Sequence, residues 1–139
     1  MGRRYELPLP LMSALVELLG EATREVVVIE HSRYARLHGA AATTRPNRIY
    51  VAGSGDVFAA DLPLVLHEYC HVLNQWATGR LTRTAYVLEC LRRGYRLNRF
   101  EIEAREFAAT ATPRFAALLA LQQQRLAAAF PGKSPVRRA

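Results

Sequence analysis

The stretch LPLVLHEYCHVLNQW, residues 62–76, contains the pattern that decides the fold of this 139-residue chain. At 100° of rotation per residue, His67, Glu68 and His71 share one face of a predicted helix, and the apolar side chains occupy the opposite face. Between positions 60 and 78 there is no lysine or arginine, although the chain has 19 basic residues. A polar helix face without positive charges indicates a place for a cation.

Two histidines four residues apart on a helix lie one above the other, so that both can bind one metal ion. A glutamate beside them can accept a proton from a water on that ion, which is the arrangement of a hydrolytic zinc site. The alternative interpretation is a solvated polar face on an ordinary amphipathic helix. A catalytic zinc site needs a third protein ligand. The candidates for this ligand are His31, His38, Glu89, Glu101, Glu103 and Glu106. Glu101 and Glu103 lie on the two flanks of one predicted helix, and the angular count does not choose between them.

The rest of the sequence predicts one α+β domain, in which a small β region with an edge strand precedes a helical bundle that carries the HExxH helix. Strands are predicted at 26–30 and 47–53, and the segment 31–47 is predicted as loop with some strand. Helices are predicted at 10–24, 60–77, 82–94, 99–111 and 113–130, with Pro113 in the first turn of the last one. We expect the domain to span 1–130 and residues 131–139 to form a basic, disordered tail.

Composition limits the classes of function. With 50% hydrophobic residues the chain can bury a core, in which we expect Phe58, Tyr69 and Trp76. The net charge of +7 comes from 18 arginines and one lysine spread along the chain. We do not expect nucleic acid as a partner, because the sequence contains no clustered basic helix or aromatic stacking motif. No apolar run reaches the roughly 18–20 residues of a membrane span and the N-terminus lacks an export signal, so we expect a soluble protein, cytoplasmic or delivered as an effector.

A second motif brings in a resemblance to known enzymes. The sequence E-x-x-A-x-x-F-A at 101–108, about 30 residues after the H-E-x-x-H motif, resembles the pattern of gluzincin-type zinc metallopeptidases such as the CAAX prenyl protease and ImmA/IrrE-like groups. The resemblance implies a zincin-like fold, Zn²⁺ as cofactor, and His67 and His71 as zinc ligands. It also implies Glu68 as general base and Glu101 as third ligand, with Glu103 as the alternative ligand.

A more extended resemblance covers about residues 47–109. The stretch IYVAGSGDVFAADLPLVLHEYCHVLNQW resembles the extracellular contractile injection system core domain, and RGYRLNRFEIEA is similar to the N-P-F-E-x-E-A segment of small predicted peptidases. Arg105 departs from the pattern, because the prenyl protease group has an aspartate there that supports a ligating histidine. Asn74 also replaces a glutamine, whereas Gln75 is kept. Support for the ligands must therefore come from other residues.

The resemblance implies peptide-bond hydrolysis in a peptide or protein substrate. The tetrahedral oxyanion would need a donor besides zinc, and Tyr95, Tyr86 and Asn98 are candidates. We expect the strand at 48–52 to be the edge strand, which could hold an extended substrate by strand addition. The alternative function is a catalytically silent zinc-binding module with a structural, effector or targeting role.

Overall fold

The computed structural model describes residues 2–132, and it confirms the predicted α+β class. The strands are β1 (Arg3–Tyr5), β2 (Val27–Glu30), β3 (Ala42–Arg45) and β4 (Arg48–Val51). The α-helices are α1 (Leu9–Leu19), α2 (Arg33–Leu37), α3 (Gly55–Ala60), α4 (Leu62–Cys70), α5 (Arg83–Leu97) and α6 (Arg99–Ala129). A 3₁₀ helix at Glu21–Glu25 follows α1, and a π-helical segment at His71–Trp76 continues α4. Most of the predicted tail, residues 133–139, lies outside the described residues.

The four strands form one mixed sheet in the order β1-β2-β4-β3. Strand β2 pairs antiparallel with β1 and parallel with β4, and β3 pairs antiparallel with β4. The expectation that the strand at 48–52 forms the edge is therefore wrong, because β3 covers that side of β4. The hairpin depends on the turn at Pro46 and Asn47, in which Asn47 has a φ of 58°, a conformation that asparagine tolerates better than most residues.

The segment 31–47 contains more regular structure than we predicted. Helix α2 starts at the cap Ser32, whose Oγ accepts a hydrogen bond from the Ala35 N–H at 3.3 Å. Strand β3 then follows, with two β-branched threonines that favour a pleated strand. The loop prediction failed because glycine and small residues surround elements only four or five residues long.

Two predicted helix boundaries also need correction. Helix α1 ends at Leu19 and does not reach residue 24, since Gly20 adopts a φ of 99° that breaks the helix. At the other end of the chain, Pro113 lies inside α6 and does not begin a new helix. Ala108 and Phe115 are both buried on either side of the exposed proline, so packing against the core keeps the helix continuous.

The hydrophobic core joins the sheet to α1, α4 and α6. Phe58 and Tyr69 belong to it, as predicted, and they are 2% and 0% exposed. Helix α4 packs against α6 on one side and against β3 on another, so that the H-E-x-x-H motif lies between a helix and the sheet edge. Within residues 2–132, no helix is long and apolar enough to cross a membrane.

Candidate metal centre

Three side chains converge at one point, from α4, from the π-helical segment that continues it and from α6. His67 comes from the end of α4, His71 begins the π-helical segment, and Glu101 lies in the first turn of α6. The His67 Nε2 lies 3.0 Å from Glu101 Oε2 and 3.1 Å from His71 Nε2. The His71 Nε2 lies 3.4 Å from Glu101 Oε1. One ligand atom from each residue lies within 4.8 Å of the others, so that all three can reach one ion.

The spacing of these atoms suits zinc. Ligands that bind a tetrahedral zinc at about 2.0–2.1 Å stand about 3.3–3.4 Å from one another, and the observed separations are 3.0 to 3.4 Å. Two imidazoles and one carboxylate are also a known protein ligand set of catalytic zinc, in which the fourth position is left to water. The residues present therefore fit a metal ion with this ligand set.

Buried hydrogen bonds orient His71. Its Nδ1 lies 2.6 Å from Gln75 Oε1, so that Nδ1–H donates to the amide and Nε2 is the nitrogen that faces Glu101 and could bind a metal after losing its proton. Gln75 is in turn fixed because its Nε2 donates to the Phe100 carbonyl at 3.0 Å. In the sequence Gln75 stands out only as a motif position that is kept, but its spacing of four residues from His71 is a usable signal.

If the cluster binds a metal ion, replacing Gln75 by leucine should weaken its affinity for Zn²⁺ about 10- to 100-fold, because a residue that orients a ligating histidine typically contributes that much. Competition with a fluorescent chelator measures the affinity, and thermal unfolding checks that the variant is folded. Asn74→Leu is the matched control, since Asn74 is exposed on the same segment and its amide donates to Cys70 Sγ, not to one of the clustered side chains. Equal zinc affinity in the Gln75 variant and the parent would remove the orienting role.

Glu101 is held from two sides. Besides the histidines, the hydroxyl of Tyr86 donates to its Oε1 at 2.9 Å. Burial alone would raise the pKa of Glu101, but hydrogen bonds from His67, His71 and Tyr86 hold it well below its usual range. The carboxylate is thus ionised, as a ligand must be. Tyr86 and Gln75 supply the support that Arg105 does not, because Arg105 donates to the Arg96 carbonyl outside the cluster.

The interaction that lowers the pKa of Glu101 raises the pKa of His71. Its burial lowers its pKa, but the hydrogen bond and charge of Glu101, together with Glu68 and Gln75, outweigh burial and raise it. The surroundings of His71 therefore favour its protonated, positively charged form. A metal ion that binds the imidazole would have to replace that proton.

Glu68 lies beside the cluster and is nearly enclosed, with 5% of its surface exposed. Burial raises its pKa, partly offset by the positive forms of His71 and His67. No hydrogen bond joins its side chain to another residue in 2–132, so its oxygens are available to a water or a substrate. A buried carboxylate with a raised pKa is a candidate general base.

Two cavities adjoin the cluster of His67, His71 and Glu101, and together they form a cleft. One cavity of about 400 Å³ is bordered by β3, Trp76 and Tyr86, and a second of about 930 Å³ is bordered by Asp61, Arg105 and Pro113. Both cavities are lined by His67, Glu68 and Tyr95. The prediction that Trp76 belongs to the core is therefore wrong. It lines the cleft, where its Nε1–H donates to Thr44 Oγ1 at 3.1 Å.

The structure places several candidate residues away from the cluster. Glu103, the alternative ligand, forms two hydrogen bonds with Arg80 at 2.9 and 2.6 Å. Glu89 pairs with Arg93 and Arg99. Glu106 is exposed, and His31 lies 3.8 Å from Glu30 at the far end of β2. His38 borders the cleft, and its Nδ1–H donates to the Tyr34 carbonyl.

The three candidate oxyanion donors have different surroundings. Tyr95 lines both cavities, and burial together with the charges of Glu101 and Glu68 raises its pKa. Tyr86 donates to Glu101, as described above. Asn98 is fully buried and caps α6, because its Oδ1 accepts from the Phe100 N–H at 2.9 Å. Its amide nitrogen donates to Tyr86 O and Cys90 Sγ, so Asn98 does not line the cleft.

Asn98→Ala should lower the free energy of unfolding by about 0.5–2 kcal/mol, because it removes the N-cap that starts the helix of Glu101. Urea denaturation measures the change. Asn98→Ser keeps an oxygen that can accept at the N-cap without burying a charge, and should lose less. If the alanine variant were as stable as the parent, the cap would contribute nothing and another role for Asn98 would have to be found.

Comparison with known proteins finds no match to this chain. The chain matches no protein-family model, no curated protein and no solved structure. The function must therefore be argued from the geometry of the cluster and the cleft.

Proposed function

We propose that the chain is a zinc metallopeptidase that hydrolyses peptide bonds in peptide or protein substrates. The observation that carries the proposal is the convergence of His67, His71 and Glu101, at separations that suit zinc. Glu68 lies beside them in the same cleft, as the general base of an H-E-x-x-H peptidase must. The resemblance of residues 47–109 to gluzincin-type peptidases agrees with this proposal.

The proposed reaction divides the work between the ion and the protein. A bound zinc would polarise the substrate carbonyl and lower the pKa of a water toward neutrality. Glu68 would accept the proton of the attacking water and later return it to the leaving amine. Tyr95 is the best-placed candidate to donate to the oxyanion, because Tyr86 is engaged with Glu101 and Asn98 with the start of α6.

Strand β3 supplies a surface for an extended substrate. Val51 O accepts from the Ser32 N–H, and Ala52 N–H donates to Ala41 O. Given the alternation of an antiparallel ladder, the backbone groups of Ala42 and Thr44 therefore face away from β4. Both residues line the cavity that contains His67 and Glu68. A peptide that pairs with β3 would thus pass the cluster, as in other cases of strand addition.

Metal content and hydrolysis together test the proposal. We expect about one zinc per chain by elemental analysis after zinc is supplied and excess is removed, and cleavage of a fluorescently labelled unfolded protein. A chelator should abolish cleavage and added zinc should restore it. Zinc binding without cleavage of any substrate would favour the silent zinc-binding module. A parent protein that binds no zinc would refute the metal site.

A further inference from the structure

Helix α5 exposes apolar side chains on the face that points away from the domain. Val87, Leu88 and Leu91 are 54%, 47% and 78% exposed, and they lie within about 100° of one another around the helix. The opposite face carries Tyr86 and the buried Glu89. Within residues 2–132 no element covers this apolar stripe, which we define as Val87, Leu88 and Leu91. Such a stripe is typical of a surface that meets a partner.

Arginines surround the apolar stripe. By the angular count, Arg83 lies on one edge of it and Arg92 on the other. Between residues 83 and 99 there are five arginines and one acidic residue, Glu89. Glu89 is buried and paired with Arg93 and Arg99, so the exposed charge of this region is positive. Beyond the kink at Gly94, Leu97 is also exposed, at 61%.

We propose that α5 lies in the interface of an anionic lipid membrane, with the stripe in the acyl boundary and the arginines at the headgroups. A helix with an apolar face bordered by arginines has the composition of an interfacial helix. Long arginine side chains can reach the headgroups while their carbon chains lie along apolar surface. Each cationic side chain near an anionic leaflet adds to the binding. The structure thus offers both attractions on one element.

Other occupants fit the same surface less well. A second copy of the chain would bring two sets of arginines together, and like charges oppose such an interface. A nucleic acid would match the arginines but would leave the leucines in contact with phosphates and water. An anionic bilayer satisfies both the apolar and the charged part. We therefore assign it as the partner.

The apolar stripe adjoins the cleft described above. Val87 belongs to the stripe and also lines the cavity that contains His67 and Glu68. Tyr95, 58% exposed, lies at the same border. A membrane that binds α5 would therefore lie beside the mouth of the cleft. The binding itself needs neither the metal nor Glu68, so it can be tested whether or not the chain hydrolyses peptides.

Flotation with lipid vesicles tests the proposal on the full chain. We expect the protein to float with vesicles of phosphatidylcholine and phosphatidylserine at low salt, and not with phosphatidylcholine alone. Leu88→Ser combined with Leu91→Ser should weaken the binding at least about tenfold, because two leucines lose their apolar burial. Arg92→Gln combined with Arg96→Gln should weaken it by roughly fivefold for each arginine.

Matched variants test whether vesicle binding depends on α5 or on exposed residues elsewhere. Leu37→Ser changes a leucine that is 85% exposed on α2, and Arg114→Gln with Arg125→Gln removes two exposed charges from α6. Both should float like the parent. The proposal is overturned if the parent does not float, or if the leucine variant floats as well as the parent. It is also overturned if light scattering shows a dimer that the leucine variant dissociates, since a second copy would then cover the stripe.

Discussion

Replacement of Glu101 by alanine is expected to leave a folded chain that no longer retains stoichiometric zinc. Within residues 2–132, Glu101 is the carboxylate that joins His67 of α4 and His71 of the π-helical segment to α6. Its Oε2 lies 3.0 Å from His67 Nε2 and its Oε1 lies 3.4 Å from His71 Nε2. Loss of a direct ligand should lower the zinc affinity by more than the roughly 10- to 100-fold loss expected for a residue that only orients a ligand, such as Gln75. Elemental analysis after dialysis against a weak chelator measures the retained metal.

The chain provides a matched control two residues away. Glu103→Ala removes a glutamate of the same helix, but that side chain pairs with Arg80 and should leave zinc content unchanged. His71→Ala should behave like Glu101→Ala. If Glu103→Ala lost the zinc and Glu101→Ala kept it, the ligand assignment would be reversed. If both kept it, zinc would bind elsewhere.

The contrast between these two glutamates shows where sequence reasoning reached its limit. His67, Glu68 and His71 could be placed on one face because helical spacing is a local property. The choice of Glu101 over Glu103 depends on how α6 lies against α4, which the burial of Phe100 and Ala104 decides. The angular count contains no information on that packing. Only the resemblance favoured Glu101, and the structure now brings it to the histidines.

The sheet edge was missed for a similar reason. The pattern at 48–51 correctly indicated a strand, but strand order depends on pairing between distant segments. Because Val27–Glu30 pairs with β4 on one side and the Pro46 turn brings β3 to the other, β4 lies inside the sheet. Gln75 lies in a π-helical segment that begins at His71, which the sequence pattern did not predict. Such a segment departs from the regular 100° count.

The substitution Glu68→Gln is expected to lower peptidase activity about 10²- to 10⁴-fold, the usual contribution of a general acid or base. The amide is nearly isosteric with the carboxylate but cannot accept the proton of the attacking water. Glu68 is not among the three clustered ligand residues, so zinc content should stay at the parent level. Initial rates on the labelled unfolded protein, at equal zinc occupancy, measure the effect.

Thermal unfolding of the Glu68→Gln variant distinguishes a chemical role of Glu68 from a structural role. A buried carboxylate without a hydrogen-bond partner is costly in its charged form, so Glu68→Gln should unfold at the same temperature as the parent or higher. Glu106→Gln, on the exposed face of α6, is the control for removal of a negative charge and should keep full activity. A glutamine variant that cleaves as fast as the parent would exclude Glu68 as the base. A variant that loses activity but keeps its zinc and its stability would leave proton transfer as the function of this carboxylate.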